Sequence, residues 1–197
     1  MQYANYSAFR LNVQRMIDGD DTASSTIDVA SLDNFIALGE SRILGDFRSS
    51  LMLKALNIIP VSGEAELPTD ILELHTVRIG DKPAEIITYD RLMDIQRVGC
   101  PFPFAAQLGN KLVVHEDSGM VTGAYYAEPT PLKSSLHATF QRYPELYLYA
   151  ALLEGSVQLG LPQFETFRLR YAEVLANAKT RERNMVYDGS PLRIRAR

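Results

Sequence analysis

The sequence predicts an α+β fold in which a helical bundle is interrupted, between its second and third long helices, by an antiparallel β module and ends in an extended C-terminal arm. Three observations carry this prediction. Apolar residues recur at spacings of three and four towards both ends of the 197-residue chain. The middle is cut by Gly, Pro, Asp and Asn into short β-prone runs. One stretch, Leu146 to Leu153, is apolar or aromatic at every position. The expected divisions are 1–60 for the first helices, 61–132 for the β module, 133–185 for a C-terminal helical hairpin and 186–197 for the arm.

Tyr6, Phe9, Val13, Met16 and Ile17 form one face of a first amphipathic helix, capped by Asn5 or Ser7 and ended by Asp18-Gly19-Asp20-Asp21. That acidic run is not a calcium loop, because the EF-hand pattern needs Gly and Glu where Ala23 and Val29 stand. Ser31 is the expected cap of a long second helix whose stripe is Leu32, Phe35, Ile36, Ile43, Phe47 and Leu51. It is expected to run to about Leu56, with Gly39 allowing close approach and Asn57 to Pro60 as an extended link. Two-residue Gly80-Asp81 and Gly109-Asn110 links between β-prone runs predict hairpins, since such turns need positive φ. A short helix over Thr88 to Gln96 is expected between them, followed by a Pro-rich break at Pro101-Phe102-Pro103, and Met120 to Ala127 closes the module.

After a polar linker, Pro144 and Glu145 suit the first turn of a helix. Its apolar run to Leu153 leaves no solvated face and must be covered on more than one side. Leu161-Pro162 breaks the chain and starts a final helix with Phe164, Phe167, Tyr171, Val174, Leu175 and Ala178 on one face. Beyond Asn184 the helical period is lost. Tyr147, Tyr149, Phe164, Phe167 and Tyr171 either fill one chain's core or meet copies of the same chain. The helix apolar all round tilts the expectation to the second, so these five are the candidate subunit-interface residues.

With 46% hydrophobic and 22% charged residues the chain reads as an ordinary globular protein. Its first residues have neither a basic start nor an apolar run, so it is expected to stay in the cytosol where it is made, and the apolar helix is too short to span a membrane. The single cysteine, Cys100, excludes an internal disulfide and a Cys-based zinc cluster. The net charge of -4 is uneven. Residues 181–197 hold five arginines against Glu182 and Asp188 (5 - 2 = +3), leaving 15 basic and 22 acidic groups before them (15 - 22 = -7). An acidic body argues against general nucleic-acid binding. Its basic tail fits either DNA or an acidic protein surface.

Little in the sequence points to catalysis. His75, His115 and His137 have no ligand spacing. Cys100 has no evident His partner, and Gly155-Ser156-Val157 is not a nucleophile elbow. There is no Walker or Rossmann fingerprint, and neither an enzyme activity nor a cofactor is expected.

Four segments in this order, after an N-terminal helix pair, carry a resemblance. They are Leu67-Pro68-Thr69-Asp70-Ile71-Leu72-Glu73-Leu74, Gly109-Asn110-Lys111-Leu112-Val113, Gly123-Ala124-Tyr125-Tyr126-Ala127-Glu128-Pro129-Thr130-Pro131-Leu132 and Tyr143-Pro144-Glu145-Leu146-Tyr147-Leu148-Tyr149-Ala150. Together they resemble the head-to-tail adaptor, or connector, proteins of tailed bacteriophages over nearly the whole chain. The resemblance implies a homo-oligomeric ring, typically of twelve copies, at the head-tail junction of a virion assembled in the bacterial cytoplasm. Such a ring sits under the portal protein, lengthens the channel through which genomic DNA passes without specific binding, and offers a platform to tail proteins of the nozzle or tail fibres. By position it implies a portal-binding arm of Pro191, Leu192, Arg193, Ile194, Arg195 and Arg197. Competing expectations are a tail-tube or tail-terminator subunit and, in another class, a DNA-binding regulator that uses the arginine-rich tail; a small hydrolase lacks a catalytic set.

Overall fold

A computed structural model describes residues 3–19, 27–98, 102–114 and 119–187. The chain divides into two compact units, Met1–Leu51 with Thr130–Arg197, and Met52–Pro129. Among the described residues there are six helices and a seven-stranded sheet, and the sheet is inserted between the second and third long helices. The class is α+β, as the pattern predicts.

The helical unit starts with α1 (Tyr6–Asp18), where Asn5 accepts from Ala8 N–H at 2.9 Å and so satisfies one of the free donors of the first turn. Helix α2 (Val29–Asp46) begins earlier than Ser31 because Asp28 is the cap, accepting from Ser31 N–H at 2.6 Å. A short helix, α4 (Ala138–Arg142), occupies part of the expected linker, and the His137 ring nitrogen caps it by accepting from Phe140 N–H. Helix α5 (Pro144–Leu159) follows, and α6 (Phe164–Tyr187) runs three residues past Asn184.

Along α5, Leu146, Leu148, Leu152 and Leu153 are all 4% exposed or less. Burying four leucines is worth roughly 6–12 kcal/mol before entropy is charged against it. The cover comes from Phe9 and Val13 of α1, Phe35, Ile36 and Ile43 of α2, and Phe167, Tyr171 and Ala178 of α6. Helix α2 lies so near that a Cβ on Gly39 would stand 2.8 Å from the Ala151 backbone nitrogen.

In the other unit the strands are β1 (Leu53–Ile58), β2 (Glu64–Glu66), β3 (Ile71–Ile79), β4 (Lys82–Ile87), β5 (Phe104–Leu108), β6 (Lys111–Val114) and β7 (Val121–Ala127), in the order β1-β7-β3-β4-β5-β6-β2. Both expected hairpins form, β3–β4 and β5–β6, with Gly80 and Gly109 at positive φ in their turns. Five of the six pairings are antiparallel, and β4 with β5 is parallel. Parallel neighbours need a crossover, which the segment with α3 (Tyr89–Val98) supplies.

Two elements depart from the pattern. The long second helix stops at Asp46, since Phe47 is already extended (φ -139, ψ 136), and residues expected at its end form β1. Phe47 and Leu51 continue the helical spacing of Ile43, so the local period favours a helix. Pairing with β7, more than sixty residues away, decides for a strand. Strand β2 is only three residues long and carries no alternation that a local pattern reveals.

Replacing Gly39 with alanine sets two effects against each other. Helix propensity favours alanine by about 1 kcal/mol. Overlap with a fixed backbone costs more, typically 1–3 kcal/mol for overpacking and towards the upper end here. Gly39→Ala is therefore expected to lower stability by about 1–2 kcal/mol in urea unfolding; equal or greater stability would mean that α2 and α5 separate without penalty.

Candidate functional site

The five candidate interface residues lie largely inside the protomer. Tyr147, Phe167 and Tyr171 are 4%, 7% and 6% exposed, and Tyr149 and Phe164 are partly buried against the same core. The apolar surface of α5, which its pattern assigned in part to neighbouring copies, is covered by α1, α2 and α6 of the same chain. These side chains therefore have cover within the protomer, and part of the reason is chemical. Tyrosine offers both an apolar body and a polar tip, and the tips find partners within the unit. Tyr171 donates to Asp46 at 3.0 Å, Tyr6 to Asp33 at 2.9 Å and Tyr143 to Glu182 at 2.6 Å. Burial and then the bond to Glu182 push the Tyr143 hydroxyl up to about 12. Apolar surface that remains open on α5 and α6 belongs to other residues, Val157, Leu159 and Leu169.

The portal-binding arm, Pro191, Leu192, Arg193, Ile194, Arg195 and Arg197, lies outside the described residues. Its root does not. Glu182, on α6, is 7% exposed and accepts three hydrogen bonds, from Ser49 Oγ and Ser50 N–H at 2.8 Å and from the Tyr143 hydroxyl. Burial alone would raise its pKa; the donors outweigh burial and hold the carboxyl below the usual glutamate value. One charged side chain thus ties the end of α6 to the segment after α2 and to the start of α5.

A second constellation lies around the segment that enters the unit from Thr130. Asp33 holds Lys133 at 2.8 Å and Arg10 at 3.3 Å besides Tyr6. Burial would raise Asp33, but these three donors keep it low. Among the described residues Glu40 accepts from the Leu132 N–H alone, at 2.9 Å, and burial, which dominates over that bond, pushes it up to about 7. Nearby, Tyr3, Tyr6, Lys133, Phe140 and Pro144 line a cleft of about 520 Å³ whose only cation among the lining residues, Lys133, is already bound to Asp33.

The histidines do not converge. His75 packs edge-on against Tyr126 in the β unit with ring centroids 5.2 Å apart, and His137 serves as the helix cap. Burial holds His137 below its ordinary pKa, which suits a nitrogen that accepts a hydrogen bond. Cys100, His115 and the Asp20-Asp21 run fall outside the described residues. Among the described residues no group of three or more His, Cys, Asp or Glu side chains is placed to hold a metal ion, and no helix is long and apolar enough to cross a membrane.

The polar side chains described above tie the helices of one unit to each other. The family is given by sequence comparison. The model described as SU10 adaptor protein matches residues 4–195, and the chain belongs to that family, a family of bacteriophage adaptors. No curated protein matches it.

Two outcomes follow from the buried carboxylates. Glu182→Ala strands a buried hydroxyl, a second hydroxyl and an amide, so it is expected to lower stability by about 2–4 kcal/mol in denaturant unfolding; a loss within experimental error would show that water takes over all three donors. Glu40 acts in the opposite pH direction. Its folded pKa lies above that of an unfolded glutamate, so its contribution is complete below about pH 4.5 and is lost as pH rises through about 7. Glu40→Gln keeps an acceptor for Leu132 and is expected to flatten this decline, with the variant about 1–2 kcal/mol more stable than wild type at pH 8 and no more stable at pH 4.5. Thermal melts across that range read the difference, and parallel curves would refute it.

Proposed function

We propose that this protein is the head-to-tail adaptor of a tailed bacteriophage, forming a ring, of twelve copies in the family pattern, beneath the portal. The ring extends the DNA channel and presents a platform to tail proteins, as a structural component without catalytic activity. The observation that carries this reading is the extent of the family match, which takes in both units and reaches Arg195 of the arm. The helical unit builds the ring, and the arm grips the portal.

Charge argues against retention of DNA by the β unit. The β unit, Met52–Pro129, holds 6 basic and 11 acidic residues (6 - 11 = -5), and the remainder holds 14 and 13 (14 - 13 = +1). Negative groups repel phosphate over a range of roughly 8 Å at physiological salt, so a passing duplex is not retained. With the aromatic residues of α5 and α6 committed to the protomer core, copies meet through the open apolar residues Val157, Leu159 and Leu169 in a head-to-tail contact that closes on itself.

Light scattering of the purified chain, with and without the portal ring of the same phage, tests the reading. Rings are expected on the portal. Deleting Leu192 to Arg197 is expected to leave the melting curve unchanged and to abolish portal binding; binding at wild-type strength would remove the arm from the mechanism.

A further inference from the structure

The last turns of α6 and the junction between α4 and α5 enclose a groove of about 290 Å³. Val174, Asn177 and Arg181 recur at helical spacing and share one wall, and Gln141, Arg142 and Tyr143 contribute the other. Two cations therefore open on one small space. Arg142 donates to the Met185 sulfur and its guanidinium carbon lies 5.9 Å from the centre of the Tyr143 ring, contacts that orient the group without neutralising it. Arg181 is exposed. Neither forms an ion pair among the described residues, whereas Arg168 and Arg170 on the same helix are held by Glu165 at 2.8 Å and Glu173 at 3.0 Å. The carboxylate next to Arg181, Glu182, is turned inward and taken by Ser49, Ser50 and Tyr143.

We infer that this groove is a carboxylate-binding site that receives an acidic side chain of a protein partner. A guanidinium fork matches a carboxylate with two parallel hydrogen bonds, and the two forks with the Asn177 amide give donors on both walls, the Gln141 amide being already engaged with the Leu136 carbonyl at 3.0 Å. A nucleic acid fits the site poorly. The groove holds one or two side chains and not a backbone, so it cannot follow a duplex that carries a charge about every 1.7 Å. Glu145, also lining it, opposes any anion, and the two guanidinium groups outnumber it. Position identifies the partner. The described part of α6 ends at Tyr187, six residues and about 9 Å of helix beyond Arg181, and the chain continues to Arg193, Arg195 and Arg197. On the adaptor reading, the partner bound by the arm is the one nearest to the groove along the chain. The inference rests on the adaptor reading for this identity alone, the portal ring; the site chemistry stands apart from it.

Titration of capped hexaglutamate into the full chain tests the site, in the wild type and in Arg142→Gln/Arg181→Gln. Both are compared with chains in which Arg193, Arg195 and Arg197 are also glutamine, so that the arm's own charge is accounted for. In both backgrounds the pair of substitutions is expected to weaken binding about tenfold or more, with unchanged circular dichroism, because two charge-assisted contacts are lost. Equal affinity with and without the pair overturns the inference. So does a short DNA duplex that binds more tightly than the peptide at about 150 mM salt with the same dependence on Arg142 and Arg181. If the peptide binds through the two arginines and the wild-type chain ignores the portal ring, the groove stands and the adaptor reading falls.

Discussion

Between Leu146 and Leu153 helix α5 keeps almost no surface for water, and the rest of the helical unit is laid out to satisfy that one condition. Leu146, Ala150 and Leu152 are wholly buried, which requires cover from several directions. A helix with a single apolar stripe needs one neighbour; this one takes α1, α2 and α6. Gly39 permits the closest of these approaches, and the tyrosine–carboxylate bonds fix the remaining neighbours in register. Dispersion and apolar burial supply most of the stability, whereas the polar ties choose among the ways of packing helices that burial alone leaves nearly equivalent.

The two units differ in how far they were legible in the sequence. Helices α1, α5 and α6 and the hairpins at Gly80-Asp81 and Gly109-Asn110 have local causes, an apolar period or a turn that needs positive φ, and a local pattern reveals them. Strand β1 does not, because its state is decided by β7 and the residues leading into it continue the helical spacing from Ile43 through Phe47 to Leu51. The parallel seam between β4 and β5 is likewise non-local: both hairpins are visible, but nothing within either says how they join.

The candidate site was legible in its charge and not in its geometry. An arginine-rich end is plain in composition. That Glu182 is subtracted from this end, buried and bound to Ser49 and Ser50 more than 130 positions earlier, is a tertiary fact. The same holds for tyrosine. Five aromatic residues on two helices fit a core and an interface equally well, and only the positions of Asp46 and Glu182 show which role Tyr171 and Tyr143 play. Side-chain type states what a residue is able to do, and partners across the fold select among those abilities.

The bonds to Glu182 also close a circuit. Ser49 and Ser50 stand 133 and 132 positions before it and Tyr143 stands 39 before it, so the three donors come from both sides of the inserted β unit. One carboxylate therefore holds together the two passages of chain that flank the insertion. Lengthening the insertion by a few residues would add little to the cost of closing that circuit, because closure entropy grows only with the logarithm of loop length.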